Sequence, residues 1–390
     1  YPETGGGRRG RAVRRAMARY LIGLLVAIVV GATGLWLMRG QSPSAEQGGQ
    51  ATAAPRQPDA EPSLAVLDEL VIPSSQRASA FSACPDSGNE KSDNERMAEY
   101  EVQREQMLRV LSASADAEHL LIAALASWRQ QPGEAVKMLD RAAALDPRNP
   151  LVASQALQLC LEIETCGRAP VELERRLIAA DKANALAWVQ VARSRLKRYD
   201  ESGALAAMRE AAAAAEVNEY FSDNVLLFER GLAASTDLPP FDRMTSAIGQ
   251  AAAVYGGSFL IFPDCLERAK GSAEWRDVCL RLGQQLEHGG RTILAQTTGL
   301  NVQAKMYEYG GDTREQQEVE ARQGRFERGW SAFMFQTARA EQLLDATVVR
   351  QYLETFESAG ELAAMRYLAA EVEARLPAPG GAAASACPTP

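Results

Sequence analysis

The side chains best equipped for chemistry in this 390-residue sequence are its six cysteines, Cys84, Cys160, Cys166, Cys265, Cys279 and Cys387. Thiolates that hold a metal usually come as close pairs joined by further cysteine or histidine ligands. No CxxC pair occurs, and neither histidine, His119 or His288, lies near paired cysteines. The sequence therefore calls for no metal and no cofactor. An even number of cysteines suits disulfides in an oxidising compartment. Nearness in sequence favours Cys160 with Cys166 and Cys265 with Cys279, which leaves Cys84 and Cys387 by elimination. The plainer alternative for any one of them is a small buried hydrophobe.

Other reactive constellations are sparse. A GxSxG elbow, a P-loop, an HExxH helix and an EF-hand loop are all absent. His119 falls within an apolar stripe, where packing is its expected role. His288 closes a helical stretch before Gly289 and Gly290, where an imidazole meets the negative end of the helix dipole. The pair Glu318 and Glu320 is what a solvated helix surface shows. No catalytic residue is assigned. Two carboxylates from distant segments, about 5–10 Å apart, would serve a glycoside hydrolase. A hydrolase acting on wall polymer, with its acids in the C-terminal half, is thus the alternative reading.

The elements that would position such residues begin with an export signal. Residues 8–19 hold six arginines and no acid, and Tyr20 to Met38 carries no charge at all. Nineteen residues at helical rise span about 28 Å, close to a bilayer core of roughly 30 Å. Bulky residues come next, where a signal peptidase would need small ones. The expectation is an uncleaved signal anchor in a bacterial inner membrane, single-pass, with the N-terminus cytoplasmic and the body periplasmic. Gly23, Ala27 and Gly31 share one helix face and could seat a second copy as a homodimer; such residues are also common in membrane helices generally. The arginine-rich head offsets much of the acid in a chain at −8, so residues 40–390 alone carry −14. Such a body does not suit nucleic acid, which needs neutralising cations.

From residue 92 onward the pattern is helical. Leu, Ala, Glu, Arg and Gln dominate, strand alternation is nearly missing, and turn signals such as Pro132-Gly133, Asp146-Pro147, Gly256-Gly257 and Gly310-Gly311 arrive at short intervals. The fold class is all-α. The expected organisation is a basic cytoplasmic tail (1–19), the transmembrane anchor (20–38), a flexible linker (39–91), a helical domain (92–236), a C-terminal helical domain (237–376) and a disordered tail (377–390). In the latter half helices are expected near 241–255, 260–270, 273–288, 291–309, 313–337, 339–356 and 359–375, with Phe326, Trp330 and Phe333 on one core-facing stripe.

Residues 116–149 and 185–218 have a large residue four places in, His119 and Trp188, and small ones further on, Ala123, Ala135 and Ala142 or Ala192, Ala204 and Ala211. This spacing resembles the tetratricopeptide repeat, a 34-residue helical hairpin. Residues 150–184 fit the length, with Pro170 shortening the second helix. The resemblance covers only residues 116–218. It implies a solenoid whose first helices line a concave groove. Carried over, the groove positions are Ala117, Leu120, Ala124 and Trp128; Leu151, Ser154, Gln158 and Glu162; Leu186, Val189, Arg193 and Lys197. Arg193 and Lys197, one turn apart, would meet a peptide carboxylate, although such a pair is more commonly a solvated helix face. The function implied is a membrane-anchored periplasmic scaffold binding other cell-envelope proteins or peptides, without catalysis of its own.

Overall fold

In the computed structural model of the chain, residues 93–163, 169–255, 261–337 and 345–375 are described. The segment 20–38 with Gly23, Ala27 and Gly31, the linker, the tail 377–390 and Cys84, Cys166 and Cys387 lie outside them. None of the described helices is long and apolar enough to cross a membrane.

The described residues form fifteen α-helices: α1 (Asp93–Ser112), α2 (Ala117–Ser127), α3 (Pro132–Leu145), α4 (Pro150–Glu162), α5 (Pro170–Asp181), α6 (Ala185–Lys197), α7 (Glu201–Ala213), α8 (Phe221–Ser235), α9 (Pro240–Tyr255), α10 (Phe262–Gly271), α11 (Ala273–Gly289), α12 (Ile293–Gly310), α13 (Thr313–Thr337), α14 (Ala346–Ala359) and α15 (Glu361–Arg375). The all-α expectation holds for them, and the helices named from turn signals each have a counterpart, except that the one expected near 339–356 runs over Ala346–Ala359, because Asp345 is extended and caps it. Their starts are fixed by side chains that satisfy the free amides of the first turn. Asp116 accepts from His119 N, Asn149 from Leu151 N and Val152 N, Asp200 from Gly203 N, and Asp345 from Thr347 N and Val348 N. Pro170 is the first residue of α5, where its missing N–H costs nothing and its fixed φ suits the helix.

Helices α2/α3, α4/α5 and α6/α7 are three successive antiparallel hairpins, each packed on the next. The arrangement is helical-repeat-like. Asn184 ties the third hairpin to the chain that leaves it. Its Oδ1 accepts from Leu186 N and Asn218 N, both at 3.0 Å, and its Nδ2 donates to Asp181 and to the Asn218 carbonyl, both at 2.9 Å. Tyr220, in left-handed backbone at φ 58°, is held by its hydroxyl donating to Asp181.

From that knot α8 runs back along the array. Its 15 residues reach about 22 Å at helical rise, two helix spacings of roughly 10 Å. It therefore arrives at the first hairpin. There Arg230 pairs with Glu118 at 3.0 Å, and Gly231 lies against Ile122 of α2 and Leu111 of α1. One apolar core joins α1–α4 with α8, α9, α14 and α15. A second joins α4–α7 with α10–α12. The stretches 92–236 and 237–376 thus share both cores.

Helices α11 and α12 cross at two glycines. A Cβ on Gly299 would stand 2.5 Å from the Gly283 carbonyl and 2.6 Å from the Glu287 amide. Beside this crossing Glu287, buried, accepts from Arg322 of α13 at 2.9 and 3.2 Å and from Gln303 of α12 at 2.7 Å. Because the atoms opposing a Cβ at position 299 belong to backbone, Gly299→Ala must push two helices apart. We expect it to destabilise the protein by about 2–4 kcal/mol, measured by chemical denaturation. A loss under about 0.5 kcal/mol would show that the crossing is looser than described.

Candidate functional site

The groove positions on α2, α4 and α6 fall on one side of the hairpin array, and the chain's own helices cover much of that side. Leu120, Ala124, Ser154, Leu186 and Val189 are fully buried. Ser154 accepts a 2.7 Å hydrogen bond from Gln190 of the neighbouring α6. Gln158 donates to the Val254 carbonyl at the end of α9 at 2.7 Å, and Arg129 donates to the Ala253 carbonyl at 3.0 Å. Ala117 and Leu151 are half-buried at the helix starts, and Glu162 is exposed. The inner face implied by the resemblance is therefore not an open groove: α8 and α9 lie over it at the first two hairpins.

At the third hairpin Arg193 is only 8% exposed. Burial lowers its pKa, while Glu162 and Asp264 of α10 support its charge. Lys197 is exposed and donates to the Leu161 carbonyl. Its pKa is also lowered, first by partial burial and then by Arg193. Arg193 is thus packed between α4, α6 and α10, and of the two cations only Lys197 reaches solvent.

A cavity of about 160 Å³ lies where the turn after α2 meets α9. Leu125, Phe228 and Val254 supply an apolar lining, and Arg104, Arg129, Gln130 and Gln250 supply polar groups. The Arg129 guanidinium stacks over the Trp128 ring, 5.2 Å from its centroid, a cation–π contact. Trp128 is thus the groove candidate that borders an accessible site. The cavity lining holds no carboxylate, so it offers no acid–base pair for glycoside hydrolysis.

His119 Nδ1 lies 3.0 Å from Ser114 Oγ in the turn before α2. His288 Nδ1 is 2.7 Å from the Gln284 carbonyl at the end of α11, the helix-terminal position expected of it. No group of histidines, cysteines and carboxylates able to hold a metal is present among the described residues. Phe326 is buried against Leu300 and Val319; the side chains of Trp330 and Phe333 lie outside the described residues. No family model matches the chain, and no curated protein or solved structure matches it.

Residue patterns gave no warning of one polar site. Glu219, in the connection between α7 and α8, accepts from the amides of Arg291 and Thr292 at 2.8 and 3.1 Å. Glu361, at the start of α15, accepts from the Ile293 amide at 2.8 Å. Both carboxylates therefore close on the N-terminus of α12. Only the acidic first residue of α15 hints at a capping role, and nothing in the spacing links positions 219, 291 and 361.

Cys265 and Cys279 are disulfide-bonded, with Cα atoms 6.3 Å apart, and join α10 to α11 as their nearness in sequence suggested. Both are fully buried. Cys160 is disulfide-bonded as well; its favoured partner Cys166 and the pair Cys84 and Cys387 lie outside the described residues. The Cys265–Cys279 bond closes a separation of 14 residues, so its removal should cost about 3 kcal/mol on the chain-entropy account. The double variant Cys265→Ala, Cys279→Ala should show that loss in denaturant titrations. Thiol labelling should find the wild-type pair unreactive until the protein is both unfolded and reduced; rapid labelling of the native protein would contradict the assignment.

Proposed function

We propose that this chain is a scaffold of the bacterial cell envelope. In this reading an inner-membrane anchor at 20–38 holds a tetratricopeptide-like body in the periplasm, where it binds segments of other envelope proteins. The observation that carries the reading is the stack of three helical hairpins, α2 to α7, downstream of an uncharged 19-residue segment preceded by arginines. An array of hairpins gives a large, stiff surface with little catalytic equipment. An excess of arginine before the apolar segment favours export of the residues downstream of it.

Coverage of the inner face moves the proposed contact away from the usual groove. The cavity beside Trp128 combines an apolar floor with Arg104 and Arg129. An acidic peptide carrying one bulky apolar side chain fits that chemistry, since the side chain fills the cavity and the cations steer the acid. No observation favours the hydrolase alternative. Glu219 and Glu361, two carboxylates that meet at the start of α12, are bonded to backbone amides rather than free for acid–base work.

The test is in-cell cross-linking of the full chain, with identification of the captured protein. A defined envelope protein should be recovered. The double charge reversal Arg104→Glu, Arg129→Glu should lower its recovery roughly tenfold without altering the circular dichroism spectrum. Recovery that is unchanged in this variant would move the contact elsewhere, and a chain fractionating away from the membrane would overturn the anchor.

A further inference from the structure

Glu219 and Glu361 approach one helix end from two sides. Glu219 Oε1 takes Arg291 N at 2.8 Å, Thr292 N at 3.1 Å and Thr292 Oγ1 at 3.3 Å. Glu361 Oε2 takes Ile293 N at 2.8 Å, and the Glu361 amide returns a 2.7 Å bond to the Arg291 carbonyl. Gly360, at φ 85°, allows this approach, because a Cβ there would meet the Arg291 carbonyl at 2.7 Å. One positive helix end suits one negative charge. It does not suit two carboxylates held side by side, Glu219 buried and Glu361 half-buried.

Among the described residues neither carboxylate has a cation as partner. Arg291 sends its guanidinium to the Glu357 carbonyl of α14 at 3.2 Å. Arg322 of α13 is paired with Glu287 of α11. Glu357 of α14 and His288 of α11 are exposed. On α15 itself Arg366 is partly buried, and that burial disfavours its charge.

We propose that Glu219 and Glu361 form a proton-dependent latch, which holds the α14–α15 hairpin on the start of α12 while the pair keeps a proton and releases it when that proton is lost. Burial pushes Glu361 up from 4.5 to about 7, with Glu219 adding repulsion, and burial raises Glu219 too. The latched form therefore binds the proton more tightly than the released form. Latching is complete below about 4.5 and weakens as pH climbs through about 7. Release would uncover the faces of α8 and α9 on which α14 packs, including the edge-on contact of Phe221 with Phe356 at 5.9 Å.

Hydrogen exchange of the full chain, corrected for the intrinsic rate at each pH, reads this directly. The opening constant of α14–α15 amides should rise about tenfold per pH unit between pH 5 and 7 and level off above that, while α6–α7 amides do not track it. Glu361→Gln keeps an acceptor for Ile293 N and should make the rise markedly shallower, leaving only what Glu219 contributes. Glu219→Gln should shift the midpoint to lower pH. A flat wild-type profile, an unaltered rise in Glu361→Gln, or an unmoved midpoint in Glu219→Gln would each overturn the latch. These outcomes do not depend on any binding partner, so they stand apart from the scaffold reading.

Discussion

A hairpin of two alanine- and leucine-rich helices has more than one apolar side, and covering the second is the constraint around which this molecule is arranged. Neighbouring hairpins cover one another along the array through residues such as Ala142, Leu157 and Ala192. The inner side needs something else. Here the chain supplies it, by sending α8 from the third hairpin back to the first and bringing α9 and α14 after it. Once α8 lies there, Leu120 and Ala124 have apolar neighbours, Gln158 finds the Val254 carbonyl, and the last two helices have a surface to join. Burial of this kind is worth about 25 cal/mol per Å² of apolar surface.

Most of the fold was legible because helices announce themselves locally. Gly and Pro punctuation set the turns to within a few residues, while Pro170, which predicts a shortened second helix, is the first residue of α5. The nearness of Cys265 and Cys279 likewise pointed to their bond. What stayed hidden was long-range. The stripe on α2 looks the same whether a foreign peptide or α8 covers it, since both bury Leu120. Periodicity reports that a face is apolar, not what touches it. For the same reason Arg193 and Lys197 read as a free cationic pair, although Arg193 is packed within the protein.

The polar interior obeys a different logic from the apolar one. Glu174 accepts from Ser194 and pairs with Arg195 and Arg198, so it locks α5 to α6. Glu287 does the same among α11, α12 and α13. Each of these buried carboxylates has an arginine, and each holds neighbouring helices in register. Glu219 and Glu361 have backbone amides and the Thr292 hydroxyl but no arginine, which makes the start of α12 the least settled junction among these. It is also where three widely separated stretches of chain meet.

The two cores touch through α4, which gives Val152 and Leu159 to one and Leu157 and Cys160 to the other. The first of these cores runs from Met107 to Leu368. A ribosome delivers the former long before the latter. During synthesis the opening hairpins must wait, with greasy surface uncovered, until α8 and α9 have emerged, and those helices in turn wait for α14. Such late closure slows folding and favours aggregation in the interval, so cells making this protein have reason to shield its early helices with a chaperone.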